Sequence, residues 1–389
     1  MTEETPTQIE PLRQVMTCCD THPDGIAPRN PEHHPVRLFA KAAAEGRPLR
    51  ILAPMVRYSK LPFRALVRSY GLDLCYTPML LAKEFIRSQP ARLSDFTTSC
   101  LDGPTVVQWG TSSPVDVARA SEMVKPFCDG VSINCGCPQT WAIHEGIGCA
   151  LMQQPELVRD MVKAIKERCG QGFSVGVKIR IHLDIEETKR WVRTVLGEGN
   201  VDYITVHGRR RTQRSSEVPN FEAIRVIRDL VKEELGGIPV VANGDVESLE
   251  AEERIVKVTK ADGVMTARAL LTNPALFAGY KKTPWGAVER IVSYCLKMPI
   301  PYPLAKYHVG EMLSEVLGRK ERKALQEQRC WADLLDWLDE KFVLLREGEE
   351  GWGEGVDIPR RVTENPEGAA GEDDDEEDAK KDNGYEAGG

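Results

Sequence analysis

No apolar run in this 389-residue chain approaches the roughly 18 residues that a membrane-crossing helix needs, so the pattern of a spanning segment is missing. The first twenty residues, MTEETPTQIEPLRQVMTCCD, place acids where a secretory leader needs bases, and no apolar stretch follows them. A secreted protein is not expected. C-x-x-C spacing is missing as well. Of 11 cysteines, the only close pairs are Cys18 with Cys19 and Cys135 with Cys137, which fits neither a zinc finger nor a thioredoxin motif. No metal site is expected. In a reducing compartment such thiols stay unpaired, and most serve as small buried hydrophobes. The expected location is the cytoplasm, with a nuclear pool allowed.

Excess charge is missing from most of the chain. The net charge is −8, but residues 364 to 389 hold eleven acids against two lysines, and everything before them stands at +1. A run such as EDDDEED cannot bury apolar surface, and residues 348–389 are expected to be an unstructured acidic tail. The folded part is near neutral and has room for a local basic patch. Six prolines by residue 35 mark residues 1–35 as a disordered leader.

What is present is an alternation. Eight β-rich runs occur in order: RILAPM (50–55), LDLCYTP (72–78), TVVQWG (105–110), GVSINCG (130–136), SVGVKIRI (174–181), DYITVHG (202–208), IPVVANGD (238–245) and DGVMTARA (262–269). Helical patterns stand between them, opened by signals such as Ser113 before Pro114, or Pro155 ahead of ELVRDMVKAIKERC. The second unit rests on MLLAKEFIRS alone. Strands apolar on both faces, alternating with helices, indicate an α/β fold with a parallel sheet, and eight units predict a (β/α)8 TIM barrel over 36–281. A small helical C-terminal region is expected over 300–346, from LAKYHVGEMLSEVLG and CWADLLDWLDEKFVLL, with the charged GRKERKALQEQ separating them.

A barrel of this kind works at the C-terminal ends of its strands. Those ends carry Pro54 and Met55, Gln108, Asn134 with Cys135 and Cys137, Lys178 with Arg180, His207 with Arg209, Asn243 with Asp245, and Arg268. Singly, each is an ordinary strand end. Together, VVANGD and MTARAL put small residues and an arginine where barrels cradle a phosphate. Lys178 is placed to meet a negatively charged ring, or else simply reaches water. HGRRRTQR, 207–214, reads as a polyanion contact or a solvated loop. Cys137 precedes Pro138, so a helix opening at Pro138 with Cys137 as its cap is expected to lower the thiol pKa. Cys135 reads as packing. Spacing leaves open whether Cys137 is an acid or a nucleophile.

The motifs APMVRYSKLPFR, LCYTPM, VVQWG, INCGCPQ, VKIRIH, ITVHGR, VANGD and ARALLTNPALF, in this order over residues 48–281, resemble those of the tRNA-dihydrouridine synthases. The likeness is greatest to the eukaryotic branch acting at positions 20a and 20b of the D-loop. The resemblance implies a flavoenzyme, an oxidoreductase acting on a carbon–carbon double bond. It would hold FMN, use NADPH (or NADH) as reductant, and reduce the C5–C6 bond of a tRNA uridine. On the matching positions it implies flavin contacts from Pro54, Met55, Val56, Gln108 and Lys178. His207, Asn243, Gly244, Asp245, Ala267 and Arg268 would complete the cofactor and phosphate contacts, and Cys137 would be the proton donor. Asn134, Arg180 and Arg209 are the expected contacts to base and RNA. Ala269 stands where the family commonly has glycine. Two other readings fit the motifs: an FMN barrel acting on a small molecule, and a tRNA-binding barrel without catalysis. The sequence sets no oligomeric state.

Overall fold

The computed structural model describes residues 29–99, 102–298 and 300–361. The expected leader up to residue 28 and the acidic tail from residue 362 lie outside them. Eight parallel strands close into a barrel in sequence order: β1 Leu49–Leu52, β2 Leu74–Leu81, β3 Thr105–Gly110, β4 Gly130–Cys135, β5 Ser174–Arg180, β6 Tyr203–His207, β7 Val240–Asn243 and β8 Gly263–Thr266. β8 pairs with β1 through Leu49↔Gly263 to Leu52↔Thr266, which removes every sheet edge. The (β/α)8 TIM barrel expected from the alternation is the fold.

Strand periodicity divides the barrel's two cores. Leu49, Ile51, Leu74, Tyr76, Val106, Tyr203, Val241 and Met265 pack into the interior. Intervening residues such as Val107, Val131, Ile133, Val177, Val206 and Val264 face the helical layer. Side-chain caps start the helices where polar residues precede apolar periodicity: Ser113 accepts from the Asp116 N–H at 3.2 Å, and Asn220 from the Ala223 N–H at 2.9 Å.

Several boundaries differ from the sequence expectations, each for a physical reason. Met79–Leu81 extends β2, because those residues register with Gln108–Gly110 after a bulge; the helix begins only at Ala82. The folded chain already includes Arg29, ahead of Val36. Its guanidinium donates to Asp129 and to the Asp102 and Gly103 carbonyls under the barrel. The charged separator is itself a helix, Arg319–Glu327, sealed by buried Leu325, between helices Tyr302–Met312 and Trp331–Lys341. Phe342 ends the last of these as an isolated antiparallel bridge with Arg360. Residues 348–361, expected to be unstructured, return to the helix Trp285–Lys297. Buried Glu289 accepts N–H bonds from Leu345 at 3.1 Å and Gly353 at 2.7 Å, and the Gly286 N–H donates to Gly355 at 2.8 Å.

Candidate active site

At the C-terminal ends of β3 to β7 the inward positions turn polar. Register sets Asn134 beside Lys178 and Lys178 beside Thr205, then Arg180 beside His207 and His207 beside Asn243. The expected residues therefore share one mouth because parallel strands in register present their inward positions at one level.

Asn134 holds that mouth together. Its Oδ1 accepts the backbone N–H groups of Gly136 and Cys137, both at 2.9 Å, and its Nδ2 donates to Gln108 Oε1 at 2.8 Å. Asn134, expected to hold a base, folds the N-C-G-C turn so that Cys137 leaves the strand line. Cys135, one position beyond Asn134, faces the helical layer with Val131 and Ile133 and cannot reach the mouth. Alternation alone makes the two thiols unlike.

Cys137 packs with Ala142 and Ile147 against Met79 and Leu81 and is 4% exposed. The expected helix at Pro138 is absent. A short helix runs over Thr140–His144 with Gln139 as its N-cap, so Cys137 caps nothing. Burial pushes its thiol pKa up, although the Gln139 N–H, Lys178 and Arg180 pull the other way. The thiol stays protonated, the reverse of the expected lowering. Sequence reading missed Gly148 and Cys149. The Cys149 N–H donates to the Cys137 carbonyl at 2.9 Å, and Gly148, at φ +61°, leaves space that a Cβ would fill 2.7 Å from that same oxygen. The GIGC run at 146–149 was the available signal.

Lys178 is 4% exposed and its ammonium has no hydrogen-bond or ion-pair partner among the described residues. Burial, reinforced by Arg180, lowers its pKa to about 8. Gln108 is wholly buried, and its Nε2 lacks a partner. A buried cation and an orphaned amide donor at one mouth call for an acceptor-rich, negatively charged occupant. That donor set fits a flavin ring. His207 is kept neutral, well below its usual pKa, by burial and by Lys178, Arg180, Arg209 and Arg268. Met55, 2% exposed, exchanges hydrogen bonds with Ser59 Oγ; Pro54 beside it is buried and Val56 is exposed.

The strand-seven turn, the expected phosphate cradle, is braced by its neighbours. Asn243 Nδ2 donates to the Met265 carbonyl at 2.9 Å, and a Cβ on Gly244 would meet Pro219 at 2.8 Å, so neighbouring protein accounts for that glycine. Asp245, at φ +46°, accepts from both Arg209 and Arg268. Arg209, expected to touch RNA, is 3% exposed; its guanidinium donates to the Ser215 and Glu217 carbonyls and ties its own loop to Asp245. Arg180 donates to the Gly136 carbonyl at 2.9 Å and the Arg210 carbonyl at 3.0 Å, bracing the cysteine turn against the β6 loop. Arg268, whose side chain is 51% exposed, follows Ala267 and holds Asp245 at 3.2 Å.

A closed barrel whose mouth gathers an unpartnered cation, a neutral imidazole and a protonated thiol defines a barrel enzyme working at its strand C-termini. The chain belongs to the dihydrouridine synthase (Dus) family, whose model matches residues 51–350. It is 47% identical over 322 residues to the tRNA-dihydrouridine(20a/20b) synthase [NAD(P)+] of Schizosaccharomyces pombe, covering 83% of this chain and 96% of that one. The same-named protein of Saccharomyces cerevisiae is 44% identical, over 82% of this chain and 86% of its own. The human tRNA-dihydrouridine(20a/20b) synthase [NAD(P)+]-like protein is 40% identical, over 79% and 94%.

Proposed function

We propose that this chain is a cytoplasmic tRNA-dihydrouridine synthase that reduces the C5–C6 double bond of D-loop uridines at positions 20a and 20b, with FMN and NADPH. The observation carrying the reading is the pairing of Lys178, a buried cation without a partner, with Cys137, a thiol that burial keeps protonated. The eight described cysteines are all free, which suits a reducing compartment.

FMN, when bound, supplies hydride to uracil carbon 6, with NADPH as the source. Gln108 and Lys178 would hold its ring, beside Met55 and Pro54, with His207, Asn243 and Arg268 toward its phosphate end. Addition at carbon 6 leaves carbon 5 as the carbanion end of an enolate conjugated with the carbon 4 carbonyl. The S–H of Cys137 delivers its proton to carbon 5, and solvent later restores it. Lys178 offsets the negative charge held in the mouth during this sequence. A uracil stacked in RNA cannot enter the barrel, so the target base is turned out of its stack. The balance is one uridine, one NADPH and one proton giving one dihydrouridine and one NADP+.

Unmodified tRNA treated with the purified flavoprotein and NADPH, then mapped by mass spectrometry, is expected to gain dihydrouridine in the D-loop. Cys137→Ala is expected to keep its flavin and form none. Wild-type protein that consumes NADPH but leaves tRNA unchanged rules the reading out.

A further inference from the structure

Among the described residues Trp141 is the one exposed Trp, Tyr or Phe side chain, at 46% exposure. Its position makes that exposure informative. It lies in the helix Thr140–His144, directly after the cysteine turn, and the next residue, Ala142, is wholly buried against Cys137. The backbone that seats the thiol therefore also directs the indole outward at the rim of the mouth. Two other very exposed apolar side chains stand on the same end of the barrel: Leu183 after β5, at 82%, and Val218 after β6, at 77%. Arg211 joins them. It is exposed, makes no ion pair among the described residues, and directly follows Arg210, whose carbonyl accepts from the same Arg180 that donates to the Gly136 carbonyl of the turn.

An exposed indole has an apolar face that water solvates poorly, and a planar π-surface complements it. Unpaired nucleobases offer that surface, and RNA loops are commonly read by stacking on aromatic side chains beside a cation that meets the backbone. We propose that Trp141 is a stacking platform for the unpaired nucleobase next to the target uridine, with Arg211 meeting the intervening phosphate. The inference rests on the tRNA reading above and deepens it. Turning the uridine into the barrel uncovers one face of its neighbour, and Trp141 replaces the stacking partner that left. The residue thus favours targets in single-stranded loops, where the neighbouring base has no pair to give up.

The test is a set of substitutions, Trp141→Ala, Trp141→Leu and Trp141→Phe, assayed with unmodified tRNA. Flavin absorbance and melting temperature identify any variant that fails to fold. Loss of one stacked base is expected to raise KM for tRNA roughly 5- to 150-fold in the Ala and Leu variants, with kcat much less affected. Phe restores most of the affinity because it keeps a ring. Tryptophan emission quenched by tRNA binding is expected in the wild type and reduced in Trp141→Phe. Leu performing as well as Phe, or Ala with the wild-type KM and quench, overturns the stacking role. Wild-type protein making no dihydrouridine instead removes the tRNA reading itself, so the two failures are distinguishable.

Discussion

Replacing Asn134 by Ala tests whether the mouth is built as the hydrogen bonds indicate. The change strips the acceptor from two buried N–H groups, those of Gly136 and Cys137, and the donor from Gln108 Oε1. A buried donor left without a partner costs about 1–3 kcal/mol, so two of them cost about 2–6 kcal/mol before the turn relaxes or admits water. Against a typical stability of about 5–15 kcal/mol, that is a large fraction. Asn134→Asp keeps both acceptor bonds and loses only the donor to Gln108, so it is expected to lose less. Urea denaturation of both variants measures the difference. Single-turnover formation of dihydrouridine measures whether Cys137 still reaches its substrate, and a fall of about a hundredfold or more is expected for the Ala variant. An Asn134→Ala protein with the wild-type urea midpoint and rate refutes the reasoning, because the turn then holds its shape without the side chain.

Other outcomes follow from single features. Cys135→Ala, in the layer outside the barrel, is expected to lose about 1 kcal/mol by urea denaturation and to keep making dihydrouridine, whereas equal inactivation with Cys137→Ala contradicts the alternation argument. Gly148→Ala pushes a methyl against the Cys137 carbonyl, at a φ of +61° that a side chain resists, and is expected to lower kcat more than flavin content. Lys178 has a folded pKa of about 8 against 10.5 for a free lysine, so between those values the unfolded chain binds more protons and stability rises with pH. Relative to Lys178→Met, flavin-free wild-type protein is expected to gain about 3 kcal/mol between pH 8 and 10.5, read by denaturation at each pH. No convergence of the two curves argues against a desolvated cation.

Much of this barrel was legible because its strands are apolar on both faces and each is followed by turn chemistry. Even the strand ends collected into one surface. What failed was long-range information. Nothing in HGRRRTQR indicates that Arg209 turns inward to Ser215, Glu217 and Asp245, because the carboxylate lies 36 residues away on another loop. Cys137 before Pro138 looked like a helix cap, but the chain runs on to Gln139 before turning, and burial then set the direction of the pKa shift. The Gly-rich stretch from residue 348 carries few apolar side chains, yet its backbone N–H and C=O groups bind Glu289 and Gly286, a mode of ordering that hydropathy does not register. The resemblance offered Asn134 as a contact to the base, but no sequence signal showed that its side chain also holds the N–H groups of Gly136 and Cys137.

The burial of Cys137 also bears on how long the protein lasts. Peroxides and electrophiles attack thiolate, not thiol, and they need access to sulfur. A side chain 4% exposed, held in its protonated form, offers neither. The environment that keeps a proton ready for the substrate thus shields the sulfur from oxidative damage between turnovers, and only the occupant that fills the mouth is brought up to it.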